Sequence, residues 1–321
     1  MKIGIMGTGT IARTMAVTVN GAEGFELYAV ASRTAEKAQA FADEFAVQRA
    51  YGSYEMLARD SAVDLIYVAT PHSSHYNDCR LCLENGRNVL CEKAFTVNAA
   101  QAGELIALSE EKGLFLGEAM WTRFMPMRFT LDRLVAEGVI GNITSLTANL
   151  GYSIAHIERL CRPELAGGAL LDLGVYTINF ARMVMGNEIE DIASRCVKNE
   201  YGVDALNNII ITFKGGRTAL LHSTMCSNTD RRGIIYGDKG RIEVENINNC
   251  EGITVILNDG TVQKYETPPQ ITGYEYELYG AAEAVSGGKN QCSQMPHSET
   301  LAVMEIMDGL RKEWGIRYPF E

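Results

Sequence analysis

The chain has 321 residues, 46% of them hydrophobic, and a formal net charge of −11 at pH 7. This length predicts two domains with a hydrophobic core in each. The negative charge argues against nucleic acid and anionic membranes as partners. The first predicted strand starts at Lys2, so no secretory signal is expected, and no apolar run approaches the roughly 18 residues of a membrane span.

Strands and helices alternate over residues 1–118, which predicts a dinucleotide-binding Rossmann domain, of the α/β class, with a doubly wound parallel sheet. The predicted strands are Lys2–Met6, Phe25–Ala31, Asp64–Ala69, Asn88–Cys91 and Leu114–Gly117. Helices are predicted along the apolar stripe Ile11, Met15, Ala16 and Val19, over Ala35–Phe45 and Ser74–Glu84, after the capping residue Ser53, and from Asn98 to Lys112.

The pattern changes over residues 119–321, which are predicted to form an α+β domain for substrate binding and oligomerisation. Turn sequences such as Asp238-Lys-Gly240 separate long β runs, as is typical of antiparallel hairpins. The predicted strands are Ile143–Tyr152, Glu188–Asn199, Leu206–Phe213, Thr218–Cys226, Arg232–Tyr236, Gly240–Val244, Thr254–Leu257 and Val262–Tyr265. The predicted helices are Pro126–Glu137, Asp172–Met185, Gly273–Ser286 and Ser298–Trp314.

So many strands beside few helices leave one face of a broad, largely antiparallel sheet without a cover. An exposed apolar face of that size is unfavourable in a monomer. We therefore predict a homodimer, or a dimer of dimers, with strands between Leu206 and Tyr265 at the interface.

Eight cysteines are spread along the chain, and Cys79 and Cys82 have the C-x-x-C spacing of many zinc and redox sites. They lie in a stretch predicted to be helical, with no second pair and no histidine at ligand spacing after them. We therefore predict free thiols, no metal site and a reducing, cytoplasmic location.

The most informative motif follows the first strand, where the chain reads Gly7-Thr8-Gly9-Thr10-Ile11-Ala12. A strand that runs into G-x-G-x-x-A and then a helix is the phosphate-binding turn of a dinucleotide fold. Gly7 permits the tight turn, Gly9 lets the backbone approach a pyrophosphate, and Ala12 allows close packing. The helix N-terminus offers free N–H groups to the anion. The alternative is an ordinary glycine turn.

The end of the second strand indicates which dinucleotide is bound. An NAD-binding domain usually carries Asp or Glu there, whereas this chain reads Ser32-Arg33-Thr34. A guanidinium and two hydroxyls can bind a 2′-phosphate through charge-assisted hydrogen bonds. NADP is therefore favoured over NAD. The alternative is that Arg33 is only a solvated charge at a helix start.

Two further segments follow strands at the carboxyl edge of the sheet, where ligands bind in open α/β folds. The hydroxyl and imidazole groups of the first suit a ribose or a phosphate. The lysine of the second should face a cleft, because burial of an unpaired ammonium is costly. The alternatives are loop histidines satisfied by water and a structural ion pair. The first segment contributes Thr70, Pro71, His72 and His75, and the second contributes Glu92 and Lys93.

Trp121 and Arg123 lie where the first domain passes to the second. There an aromatic face and a guanidinium would contact the cofactor or substrate, and the alternative is that they anchor the domain interface. Asp172 and Tyr176 are four residues apart in a predicted helix and so share one face. A tyrosine serves as an acid or base if its pKa falls from about 10, which a nearby ammonium would favour. From spacing alone, Tyr176 is equally a packing residue.

Together these motifs resemble the glucose–fructose oxidoreductase / inositol dehydrogenase (Gfo/Idh/MocA) family, and within it the dimeric dihydrodiol dehydrogenase and D-xylose dehydrogenase branch. The resemblance covers the whole chain and implies NADP-linked oxidation of a sugar or cyclic diol, or the reverse reduction. It assigns Lys93 to the family's lysine, Tyr176 to its acid/base position and Asp172 to its supporting carboxylate. The motifs are, in chain order, Gly7–Ala12, Ala31–Arg33, Ala69–Pro71, Cys91–Lys93, Glu118–Arg123, Gly168–Tyr176 and Trp314–Pro319.

One residue departs from the family pattern. The family usually has a proline directly after the lysine, often with a cis peptide bond, and here the residue is Ala94. A non-proline cis bond costs about 3 kcal/mol. The resemblance therefore predicts the orientation of Lys93 less directly than the roles of the other site residues.

The sequence thus predicts an NADP-dependent oxidoreductase that transfers a hydride between nicotinamide and a sugar, a cyclic diol or a related carbonyl compound. Two alternatives are a catalytically silent dinucleotide-binding regulator and an NAD-using glycosidase of the same fold. The joint presence of Lys93, Asp172 and Tyr176 favours an enzyme over the regulator. Ser32-Arg33 counts against the glycosidase, since a cofactor recycled in place needs no NADP pool.

Overall fold

The computed structural model describes all 321 residues, which form fourteen strands and ten α-helices. The strands are β1 (Lys2–Met6), β2 (Glu26–Ala31), β3 (Arg49–Tyr51), β4 (Leu65–Val68), β5 (Asn88–Glu92), β6 (Leu116–Ala119), β7 (Ile143–Gly151), β8 (Ile189–Lys198), β9 (Asp204–Phe213), β10 (Arg217–Thr224), β11 (Gly233–Gly237), β12 (Gly240–Glu245), β13 (Gly252–Leu257) and β14 (Val262–Glu266). The helices are α1 (Thr10–Gly21), α2 (Ala35–Phe45), α3 (Tyr54–Ala58), α4 (His72–Glu84), α5 (Ala99–Lys112), α6 (Pro126–Ala136), α7 (Glu158–Cys161), α8 (Val175–Met185), α9 (Glu275–Ser286) and α10 (His297–Trp314). None of these helices has both the length and the apolar character needed to cross a membrane.

The chain divides into two compact units, and the division differs from the predicted limits of 1–118 and 119–321. The first unit comprises Met1–Phe124 and Gln270–Glu305, and the second comprises Met125–Pro269 and Ile306–Glu321. Side-chain contacts far apart in sequence hold the returning segment 270–305 in the first unit. Thr300, for example, donates a hydrogen bond of 2.8 Å to Glu118 at β6.

The first unit is built on a six-stranded parallel sheet with the order β3-β2-β1-β4-β5-β6. This is the doubly wound order, and the strand order reverses between β1 and β4. β4 is buried along its whole length, as a central parallel strand should be. Side-chain caps start three of the surrounding helices, at Ser53 and Asn98 as predicted and also at Thr34. Each accepts a hydrogen bond from a backbone N–H three residues on.

The second unit contains an eight-stranded sheet with the order β14-β13-β12-β11-β7-β10-β9-β8. All neighbouring strands are antiparallel except β7 and β10, which are parallel. Along β9 the side chains of Ile209 and Ile211 are buried on the inner face, whereas Ile210 between them is exposed. The predicted broad, largely antiparallel sheet is confirmed.

Two local features differ from the predicted elements. β3 is only three residues long, too short for its period to stand out in the sequence. The helix predicted over Asp172–Met185 begins earlier, with a π turn over Leu170–Gly174 that leads directly into α8. The N–H of Val175 donates to the carbonyl of Leu170, which closes this turn. Apolar spacing cannot distinguish such a turn from an ordinary helical start.

Candidate active site

The turn between β1 and α1 has the backbone geometry of an anion-binding loop. Gly7 has φ +110°, and a Cβ there would lie 2.7 Å from the carbonyl oxygen of Ala69. Gly9 caps α1 without a side-chain hydrogen bond, and no atom lies within 4 Å of the place a Cβ would occupy. The first turn of α1 has no acidic residue. Its N–H groups are therefore available to a pyrophosphate, and these residues fit a dinucleotide.

The end of β2 offers a cation to the same ligand. The hydroxyl oxygens of Thr8 and Ser32 lie 3.2 Å apart, which links the phosphate-binding turn to this strand. Arg33 is exposed and makes no hydrogen bond or ion pair. Thr34 caps α2, so Arg33 stands just before a helix N-terminus. A free guanidinium beside a helix N-terminus suits a 2′-phosphate.

The loop after β4 is held by buried polar contacts. Thr70 donates a hydrogen bond of 2.6 Å to Asp78 on α4, and burial raises the pKa of Asp78 to about 6. The two ring nitrogens of His75 lie 2.8 Å from the carbonyl oxygen of Thr70 and 2.9 Å from that of Ala94. Burial lowers the pKa of His75, against the opposing effect of these carbonyls. His75 is fully buried, which favours a structural role for its imidazole, and its contact with the cofactor stays a prediction.

The β5 end carries Lys93, whose side chain is partly buried. The peptide bond between Lys93 and Ala94 is cis, so alanine adopts the form that the family's proline often takes, contrary to the expectation from its residue type. His72 lies 3.2 Å from the Lys93 carbonyl oxygen through its Nε2. His72 and His75 thus contact the carbonyl oxygens of the two residues that this peptide bond joins.

The carboxylate before Lys93 is part of a buried acidic group. Glu92 accepts a hydrogen bond from the hydroxyl of Tyr67 and, at 3.2 Å, from the backbone N–H of Lys93. Burial, together with the charges of Glu92 and Glu277, raises the pKa of Tyr67 well above its ordinary value. Tyr67 therefore stays protonated and donates to Glu92.

Trp121 and Arg123 have partners within the first unit. The ring of Trp121 stacks on Tyr274, with ring centroids 4.1 Å apart and planes 13° from parallel. Arg123 forms a buried ion pair with Glu299, in which Nη2 and Oε2 are 2.8 Å apart. This ion pair lies within the first unit, and the contact of the Arg123 guanidinium with the cofactor stays a prediction.

Asp172 and Tyr176 lie on one continuous helical segment of the second unit, Asp172 in the π turn and Tyr176 in the first turn of α8. Both side chains are buried. Asp172 Oδ1 is 3.6 Å from a guanidinium nitrogen of Arg159. The predicted position of Asp172 near the start of this helix is confirmed.

Sequence reasoning missed two residues that hold the loop before this helix. Asp204 accepts a hydrogen bond from the backbone N–H of Leu170, and Tyr318 donates one to the carbonyl of Gly167. Asp204 simply precedes a β run, and Tyr318 lies near the end of the chain. The sequence reveals neither contact, because each joins segments distant in sequence.

Two family models match the chain. One, described as the oxidoreductase family with an NAD-binding Rossmann fold, covers residues 1–119, and the GFO/IDH/MocA C-terminal domain covers residues 130–243. The chain is 34% identical to trans-1,2-dihydrobenzene-1,2-diol dehydrogenase of Xenopus tropicalis, with 99% of each chain covered. It is 32% identical to the Homo sapiens protein of the same name, covering 92% of this chain and 90% of that one. The chain belongs to the GFO/IDH/MocA oxidoreductase family.

Solved structures of similar proteins agree with this assignment. A point mutant of a 3-ketoreductase from Actinomadura kijaniata, in complex with TDP-benzene and NADP, superposes with a TM-score of 0.85 at 25% identity, covering 97% of both chains. Aldose-aldose oxidoreductase from Caulobacter crescentus, at 23% identity and a TM-score of 0.88 over 98% of this chain and 97% of that one, shares the fold. The predicted family, fold class and enzyme class are confirmed, and the protein is an NAD(P)-dependent oxidoreductase.

Proposed function

We propose that the protein uses NADP to oxidise a carbinol carbon of a sugar, a cyclic diol or a related compound, or to reduce the corresponding carbonyl. The observation that carries the cofactor choice is the exposed, unpaired Arg33 at the end of β2. The substrate class is supported by the full-length relatives, which are dihydrodiol dehydrogenases. Bound nicotinamide accepts the hydride in one direction and supplies it in the other.

Residues of the first unit would hold the cofactor. The first turn of α1, from Thr10 to Ala12, would bind the pyrophosphate, with Gly7, Thr8 and Gly9 forming the turn before it. Ser32, Arg33 and Thr34 would bind the 2′-phosphate. The groups that would lie toward the nicotinamide half are Thr70, Pro71, His72, Glu92, Lys93 and Trp121.

The proton moves separately from the hydride. In oxidation the substrate C–H bond breaks with its electron pair, and the hydroxyl proton passes to the phenolate of Tyr176. In reduction the phenol returns that proton to the carbonyl oxygen. We assign Lys93 to polarise this oxygen and to favour the phenolate, and Asp172 to orient the pair. A panel of sugars, vicinal diols and dicarbonyls with NADP and NAD tests the proposal, and no turnover with any of them would contradict it.

Substitution of Arg33 by alanine is expected to weaken NADP binding more than NAD binding. A lost contact between a guanidinium and a phosphate costs on the order of 1.5–3 kcal/mol, or roughly 10- to 150-fold in affinity. Protein fluorescence titration with both dinucleotides measures this. Arg59→Ala is the matched control, since Arg59 is also exposed but stands at the C-terminal end of α3, toward the opposite edge of the sheet. Unchanged NADP affinity in Arg33→Ala would refute the cofactor choice.

We also propose that a second copy of the chain covers the outer face of the eight-stranded sheet. One row across β8, β9, β10, β7 and β11 is largely apolar, and its two most exposed large side chains, Ile210 and Leu220, are each 45% exposed. The next row on this face is polar and includes Asn208 and His222. An apolar centre with a polar rim is typical of protein interfaces. The row comprises Ala193, Ile210, Leu220, Thr147 and Ile234.

Leu220→Glu is expected to convert the homodimer to monomers, because it places a charge at the centre of the buried face. Light scattering at micromolar concentration measures the mass. Val17→Glu on α1, where valine is 49% exposed, is the matched control and should leave the mass unchanged. A wild-type monomer, or a Leu220→Glu dimer, would contradict the proposed interface.

A further inference from the structure

One buried carboxylate holds the loop that leads into the Tyr176 helix. Asp204, at the start of β9, is only 1% exposed. Its Oδ2 accepts hydrogen bonds from the backbone N–H of Leu170 at 2.8 Å and from Nδ2 of Asn207 at 2.9 Å. Gly168 has φ +129°, and a Cβ there would lie 2.4 Å from Asp204 Oδ1. The loop therefore closes directly against this side chain.

Leu170 connects the carboxylate to the helix. Its N–H is bound to Asp204, and its carbonyl oxygen accepts the hydrogen bond of Val175 that closes the π turn. Val175 directly precedes Tyr176. Two consecutive hydrogen bonds thus connect Asp204 through Leu170 to Val175, the residue directly before Tyr176. π turns within helices are frequently found at functional sites.

The surroundings of Asp204 act on its pKa in opposite directions. Burial raises the pKa of this carboxyl to about 7, whereas the hydrogen bonds from Asn207 and Leu170 and the positive charge of Arg311 oppose that shift. The other titratable side chains that interact with it are Tyr318, from the C-terminal segment, and Cys196 on β8. Above pH 8 the carboxyl is therefore largely ionised and keeps both acceptor oxygens.

We propose that Asp204 is a positioning residue of the active site, which fixes Leu170 and thereby sets the position of the Tyr176 phenol. The inference rests on the proposed acid/base role of Tyr176 and deepens it. It predicts that loss of the acceptor loosens the π turn first and displaces the phenol as a consequence. An asparagine at 204 keeps an oxygen that can accept the same hydrogen bond, so it should preserve the arrangement.

Asp204→Ala and Asp204→Asn are compared with the wild type at pH 8 and above, by amide hydrogen exchange and by the pH profile of oxidation. In Asp204→Ala we expect faster exchange at Leu170 and Val175, and kcat lower by roughly 10- to 100-fold. We also expect unchanged NADP affinity. The limb of the pH profile that depends on Tyr176 should shift toward about pH 10, the ordinary pKa of tyrosine. Asp204→Asn should restore most of each property. Ile253→Val on β13 is the control for a general loss of stability and should leave the limb in place.

The outcomes separate this inference from the proposed function. If Tyr176→Phe abolishes the limb but Asp204→Ala changes neither the limb nor the exchange, the inference is wrong and the proposed function stands. If Tyr176→Phe leaves the limb intact, the proposed acid/base role of Tyr176 fails, and with it the positioning role of Asp204. Should Asp204→Ala not fold, Asn207→Ala removes the amide that orients the carboxylate and is read by the same two measurements.

Discussion

Tyr176→Phe is expected to lower turnover by roughly 10²–10⁴-fold, because it removes a positioned general acid/base. The substitution deletes only a hydroxyl, so the buried ring keeps its packing and NADP affinity should be nearly unchanged. The limb of the pH profile assigned to the phenol should disappear. Steady-state kinetics with NADP and the best substrate of the panel, together with a fluorescence titration, measure these effects.

Two controls accompany Tyr176→Phe: the same substitution at another tyrosine, and a kinetic isotope effect. Tyr236→Phe on β11 of the same unit should retain full turnover. A primary deuterium isotope effect identifies the conditions in which hydride transfer limits the rate. If folded Tyr176→Phe then keeps more than about a tenth of wild-type turnover, Tyr176 is not the acid/base. The role would pass to Lys93 or to His72, since both ring nitrogens of His75 already face carbonyl oxygens.

Lys93→Met should also cause a large loss, because methionine keeps most of the side-chain volume and removes the ammonium. If Lys93 and Tyr176 serve one proton transfer, the two losses should not add. The double variant should then be little slower than the slower single variant. Turnover of the two single variants and the double variant, measured at one pH, gives the coupling.

The control for Lys93→Met is Lys112→Met. Lys112 ends α5 at the other edge of the parallel sheet, so its replacement should leave turnover unchanged. Additive losses in the double variant would separate the roles of Lys93 and Tyr176, whereas full turnover in Lys93→Met would remove the lysine from the mechanism.

The fold could largely be predicted from the sequence because its elements have clear periods and caps. β1 and α2 have the predicted limits, and Asn98 caps α5 as expected. The two compact units differ from the predicted domain limits because the return of residues 270–305 to the first unit depends on tertiary contacts. The ion pair of Arg123 with Glu299, for example, joins residues 176 positions apart.

The site could be predicted only where a local motif carries the chemistry. Gly7 has the positive φ of a tight turn and Arg33 is exposed, and their contacts with a dinucleotide stay predictions. The importance of Asp204 comes from burial and from a hydrogen bond to Leu170, neither of which leaves a mark in the sequence. His75 was assigned to the cofactor because the sequence shows its place after a strand, whereas the structure shows its two carbonyl partners.

The most direct test of hydride transfer follows an isotope. A sugar or diol of the panel, carrying deuterium at the carbinol carbon, is incubated with the protein and NADP, and the recovered products are analysed by NMR and mass spectrometry. We predict that the deuterium appears on the reduced nicotinamide, with one carbonyl product formed for each cofactor reduced. Solvent hydrogen on the reduced nicotinamide, return of the label to a hydrolysed sugar without net reduction, or binding of NADP with no transfer to any substrate would contradict the assignment.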